Sequence, residues 1–158
     1  MKKKNGIVTA AWVLLALLTA AVTTSAALTL WSSQYAPRFS GLVSVEDMDV
    51  FTTYMSVTAA QDTLEALTLL VGVIAYVVLL VRHVLGKQPL TPKQKWIYTA
   101  ITAAALVVPS LVMGLCDPVN ALLAYYLFTP LVLVGVLLAC VLLEFGLKAL
   151  QNRKETMK

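Results

Sequence analysis

No residue between Lys4 and Arg38 carries a charge, and the same holds from Lys95 to Asp117 and from Asp117 to Glu144. Each interval holds the roughly 20 apolar residues that cross a ~30 Å hydrocarbon core. A chain built from such intervals lacks the polar groups to cover its own surface in water. The whole sequence of 158 residues is 59 % apolar and 13 % charged, with a mean hydropathy of +0.83. Soluble domains run at roughly 45–50 % apolar and about 25 % charged. A soluble enzyme, a disordered tail and a disulfide-rich secreted module are excluded, and a single lipid-embedded domain is implied.

A fourth uncharged stretch lies between Glu65 and Arg82. Spans are expected near 7–31, 57–82, 97–115 and 121–146. They are continuous apolar runs, so they read as helices; barrel strands are shorter and alternate apolar with polar. The expected fold is an all-α integral membrane four-helix bundle. A rival reading takes Lys2–Lys4, the apolar run and Thr24-Ser25-Ala26 as a secretory signal cleaved near Ala26, which leaves three spans. Against it, the apolar run continues through Leu28 and Leu30, and Trp12 and Trp31 sit near its two ends as interfacial anchors do.

Lys and Arg resist transfer across a membrane and so set orientation. In a four-span arrangement eleven of the 12 basic residues fall on one side, at the N-terminus, at Arg82 and in the 83–96 loop that follows it, and in the 147–158 tail. Arg38 alone falls on the other. Both termini are therefore expected in the cytoplasm. Six of the 8 acids lie toward the outside, Glu144 and Glu155 inside. The basic balance fits this topology and anionic inner-leaflet lipid better than nucleic acid.

The loops are short. In the outer one, about 32–56, Ser44 and Asp47 have capping-box spacing, and Val45, Met48, Thr52 and Met55 recur at helical steps. Either a short amphipathic helix lies there or the second span starts early. The inner loop carries Gly86, Pro89 and Pro92, where helices should end. The link from Cys116 to Asn120 is short enough to make the third and fourth spans antiparallel neighbours.

Polar residues inside the spans supply the candidate sites. Sixteen uncharged residues between Glu65 and Arg82 cover about 24 Å, less than the hydrocarbon thickness. Either these charges sit at the boundaries or the acids face the bundle interior. Thr58, Asp62, Glu65, Leu69, Gly72 and Tyr76 recur at three- and four-residue steps and are expected to share a packing face. Asp62, Glu65 and Asp117 form a candidate cation or partner site at the outer face. Pro109 and Pro130 interrupt the third and fourth spans. The carbonyl freed by Pro109, that of Ala105, is expected to be compensated by Ser110 or Thr102. Tyr125 and Tyr126 are expected in the interfacial aromatic belt. Small-residue seams at Ala16, Ala20 and Thr24, at Ala100 and Ala104, and at Gly135 and Ala139 suggest helix contacts. Glu144 is expected to pair with Arg82 or Lys148 near the inner interface.

Two cysteines and one histidine leave little chemistry. Cys116 and Cys140 lie at opposite membrane depths, too far apart for a disulfide. His83 is expected at the surface. No metal-ligand, nucleophile or phosphate-loop motif is present, so no catalytic residue, cofactor or metal is expected. The primary expectation is a non-enzymatic accessory or scaffolding subunit of a larger assembly in a bacterial plasma membrane. Its partners are lipid and other membrane subunits or further copies of itself. The alternative is an oligomeric transporter or channel with an acidic outer mouth. A third class, a membrane enzyme on lipid substrates, would use Asp117, Asn120 and Tyr125.

Overall fold

The computed structural model describes residues 6–35, 43–85, 91–117 and 123–155, with the side chains of 7, 83–85, 148 and 151–155 outside that set. Among the described residues four α-helices form: α1 (Gly6–Ser33), α2 (Met48–Leu85), α3 (Pro92–Leu115) and α4 (Leu123–Glu155). All four are long and apolar enough to cross a membrane. At ~1.5 Å per residue they measure roughly 42, 57, 36 and 50 Å, each more than the hydrocarbon thickness.

Each helix boundary has a local cause. Thr91 caps α3 reciprocally: its hydroxyl accepts from the Gln94 N–H at 3.3 Å, and the Gln94 side chain accepts from the Thr91 N–H at 3.0 Å. Pro92 at the first helical position has no N–H to lose and a preset φ. The helix therefore opens at Pro92, five residues before the span expected at 97, and takes Lys95 into its first turns. At Ser44 the expected capping box is absent: the hydroxyl donates to Asp47 Oδ2 at 2.9 Å, with no bond to backbone. A single 3-10 turn, Val45–Asp47, leads directly into α2. The early start of the second helix is thus what forms. Gln61 lies beside Ser32 near the end of α1, so the preceding part of α2, about 20 Å long, runs on past α1.

α1 packs on α2 and α3, and α4 packs on the same two. The helices sit at the corners of a square, and α2 and α3, consecutive in the chain, occupy a diagonal. Contacts between Tyr98 and Ala11 and between Lys95 and Glu144 bring the start of α1, the end of α2, the start of α3 and the late part of α4 to one end. It carries Arg82, Lys93 and Lys95 and is called the basic end; Glu65 and Asp117 mark the acidic end. Between them lies an apolar waist of Leu18, Leu106 and Leu133. Gly72 is part of it: a Cβ there would overlap Leu133 Cδ2 and lie 3.4 Å from Leu18 Cδ2. Leu106 and Leu133 are fully buried.

The faces turned inward differ in part from those expected. On α2 the expected face departs at Asp62 alone, which is exposed; Thr58, Glu65 and Leu69 are half-buried, Gly72 and Tyr76 are buried, and Gln61 and Thr68 are covered beside them. Asp62 lies about 100° around the helix from Gln61, enough to carry it out of the interface. All three small-residue seams point away from the bundle. Ala16, Ala20, Thr24, Ala100, Ala104, Gly135 and Ala139 are all exposed, and no neighbour lies within 4 Å of a Cβ built on Gly135. α1 instead buries Leu15, Leu18, Val22, Ser25 and Thr29.

Candidate functional site

The buried polar groups form two layers, one on each side of the waist. At the acidic end, Asp117 follows α3 and is 4 % exposed. Ser33 Oγ of α1 donates to its Oδ1 at 3.0 Å, and Tyr126 OH of α4 donates to its Oδ2 at 3.0 Å. One carboxylate thereby joins three helices. One layer deeper, Ser25 Oγ of α1 donates to Glu65 Oε1 of α2 at 2.7 Å. Hydrogen bonds to an ionised acceptor are roughly twice as strong as neutral ones, so both acids act as clamps. Glu65, Ser25, Tyr126 and Thr129 line a small cavity of about 10 Å³, one water at most. The Thr129 hydroxyl is buried there with no hydrogen-bond partner among the described residues.

Of the three acids expected to act together, the structure therefore brings Glu65 and Asp117 into the bundle, and Asp62 faces outward. Tyr125 is exposed, as an interfacial ring would be, whereas Tyr126 is buried and serves Asp117. Of the residues expected to form a lipid-enzyme cluster, Asn120 lies outside the described residues.

At the basic end the central feature is an ion pair between Lys95 Nζ and Glu144 Oε1, with side chains 6 % and 4 % exposed. Lys95 is a partner of Glu144 beyond the two expected, Arg82 and Lys148. Arg82 is exposed on α2, and the Lys148 side chain lies outside the described residues. Lys95 also sits over the Phe145 ring, 5.8 Å from its centroid, and Phe145 stacks on Trp96 at 6.4 Å. Trp12 meets Tyr98 edge-on at 5.5 Å, and Tyr98 OH donates to the Ala11 carbonyl at 2.8 Å, fastening α3 to α1. Thr99 donates to the Lys95 carbonyl at 2.9 Å.

The α3 face that carries this layer reads Lys95, Thr99, Thr102, Leu106, Ser110, all buried. The steps are four, three, four and four residues, one face of a helix. That stripe, together with the Thr-x-x-Gln capping box, is the signal by which Lys95 could have been found. Ser110 Oγ donates to the Leu106 carbonyl at 3.3 Å, not to that of Ala105, and Thr102 Oγ1 makes no hydrogen bond to a carbonyl among the described residues. Neither hydroxyl supplies the expected compensation for Pro109. Both α3 and α4 continue through their prolines, and Pro130 is fully buried.

A cavity of about 50 Å³ opens beside the ion pair. Tyr76, Tyr98, Thr99, Lys95, Cys140 and Glu144 line it among leucines. Cys140 and Cys116 are both free thiols. Among the described residues no three of His, Cys, Asp and Glu gather around a point where a metal would sit. The geometry binds helices to one another through charge and hydroxyl contacts. No protein-family model, curated protein or solved structure matches the chain.

Proposed function

We propose that this small multi-pass membrane protein is a non-enzymatic accessory or scaffolding subunit of a larger membrane assembly. In this reading it sits in a bacterial plasma membrane, with α1 retained and both termini in the cytoplasm. The sorting of basic and acidic residues supports the orientation. The contacts of Ser25 with Glu65 and of the Ala11 carbonyl with Tyr98 support retention of α1, since cleavage near Ala26 would remove both.

The observation that carries the assembly role is the outward direction of the small-residue seams. Small residues let two helix backbones approach closely in lipid. Inside this bundle they are not used that way; Gly135, Ala139, Ala16 and Ala20 are presented to the outside, where another subunit can use them. A photo-crosslinking residue at Ala20 or Ala139 is expected to give one defined protein adduct in native membranes, and the same residue at Ile74 on α2 only lipid. Gly135→Leu with Ala139→Leu should abolish the adduct and release the chain from its large species on native gels with helix content retained. A chain that migrates alone in both forms would overturn the role.

Transport is the second reading, and the inward placement of Glu65 and Asp117 is what favours it. In that case cation flux into liposomes containing the purified chain should fall on Glu65→Gln. Flux that survives the substitution, or none to begin with, removes this reading.

A further inference from the structure

Arg82 is exposed near the end of α2 and has no ionic or hydrogen-bonding partner among the described residues. It stands at the basic end of a groove of about 200 Å³, lined by Ala10 and Leu14 of α1 and by Ala75, Val78 and Leu79 of α2. The α2 positions recur at steps of three and four, one face of the helix. The two alanines make the groove, because a methyl group on each helix leaves open the space a longer side chain would fill. From Ala75 to Arg82 the rise is about 10 Å. The groove is thus a short apolar channel along the helices with a guanidinium at one end.

Contacts across the bundle fix its depth. α1 and α2 run antiparallel, with Ser25 on Glu65 and Leu18 beside Gly72, a register that sets Ala10 opposite residues 80–82. The bond from Tyr98 to the Ala11 carbonyl sets Trp96 of α3 at about the same level. Trp12 and Trp96 are both exposed there, and exposed tryptophans gather at the headgroup level of a bilayer. Arg82 therefore lies at the height of lipid phosphates, and the groove descends from it into the acyl-chain region. The neighbouring chain supplies no anion for it. The five residues before α1 and the six between α2 and α3 include Lys2, Lys3, Lys4 and Lys87 and no acid, and Glu144 is paired with Lys95.

We propose that this groove binds an anionic phospholipid of the leaflet at the basic end, with one acyl chain between α1 and α2 and the headgroup phosphate on Arg82. The planar guanidinium fork matches two phosphate oxygens at once, and basic pockets between membrane helices bind acidic headgroups. The acyl chain gains packing contacts that an unfilled groove forfeits. A phospholipid matches both parts of the site, the apolar strip and the cation at its end. An anionic headgroup is favoured over a zwitterionic one, whose own ammonium offsets the attraction of its phosphate to a basic surround.

Native mass spectrometry of the purified chain, titrated with phosphatidylglycerol or phosphatidylcholine, tests this. The first phosphatidylglycerol is expected to bind several-fold more tightly than the first phosphatidylcholine; equal affinities would overturn the site. Arg82→Gln should remove that preference. Ala75→Leu, which fills the groove, should weaken binding of both lipids several-fold, and helix content should be unchanged in either variant. Undiminished binding by Ala75→Leu would overturn the groove as the seat of the chain. Lys93→Gln, outside the groove, should leave the preference in place; a loss equal to that of Arg82→Gln would mean a diffuse basic surface and no defined site. A photo-crosslinking residue at Val78 should capture lipid in native membranes, and a protein adduct there would give the groove to another subunit instead.

Discussion

The two ends of the bundle solve one problem with different chemistry. At the basic end a carboxylate, Glu144, is held by the opposite charge of Lys95 inside an aromatic surround. At the acidic end Asp117 and Glu65 are held by the hydroxyls of Ser33, Tyr126 and Ser25. An ion pair removed from water is worth little net, but either member alone is very costly. A carboxylate held by hydroxyls is less interdependent, because each donor contributes a separate, moderate share. The basic end should therefore fail abruptly on single substitution and the acidic end gradually.

Lys95→Met carries the largest expected effect, a loss of about 3–5 kcal/mol from breaking the buried pair with Glu144. Reversible unfolding in micelles or bilayers measures it. The double change Lys95→Met with Glu144→Leu should recover most of that loss, since apolar replacement of a whole buried pair is often neutral. A double variant no better than the single would break the contrast between the two ends. Asp117→Asn is expected next, at about 1.5–3 kcal/mol by the same measurement, since two hydroxyls lose a charged acceptor. A cost as large as that of Lys95→Met would mean that the acidic end also behaves as an obligatory pair.

The waist that divides the ends is tested by Gly72→Ala, which overpacks Leu133 and should cost about 1–3 kcal/mol. Its counterpart Gly135→Ala meets open space and should stabilise the isolated chain by about 0.5–1 kcal/mol through helix propensity. Asp62→Asn should change stability by less than about 0.5 kcal/mol, as an exposed residue outside the clamps. A larger change would place Asp62 with Glu65 after all.

Much of this architecture is legible in the chain. Four uncharged runs specify four helices, because hydrocarbon thickness sets their length and the lack of water in lipid requires a hydrogen-bonded backbone. Glu65, Asp117, Gly72 and Tyr76 stand out as polar or small groups in apolar surroundings, and the structure draws all four inward. Lys95 does not stand out when Pro89 and Pro92 are read as the end of a loop. It becomes visible once Thr91 and Gln94 are recognised as a cap and the stripe from Lys95 to Ser110 is followed. The seam at Ala16, Ala20 and Thr24 illustrates a different difficulty. The spacing is right for a contact, but spacing does not say which helix, or which chain, the contact serves.

The sequence by itself determined that this chain makes long apolar helices and how many of them, but not all of their ends: α2 starts nine residues before 57 and α4 runs nine past 146. Those properties follow from composition along the chain and from local caps. Tertiary structure decided which face of each helix turns inward. In water an amphipathic stripe settles that, since one face must avoid solvent. In a bilayer both the lipid and the core are apolar, so hydropathy barely distinguishes inside from outside. The choice falls instead to a few long-range polar contacts: Ser25 with Glu65, Ser33 and Tyr126 with Asp117, and Lys95 with Glu144, 49 residues apart.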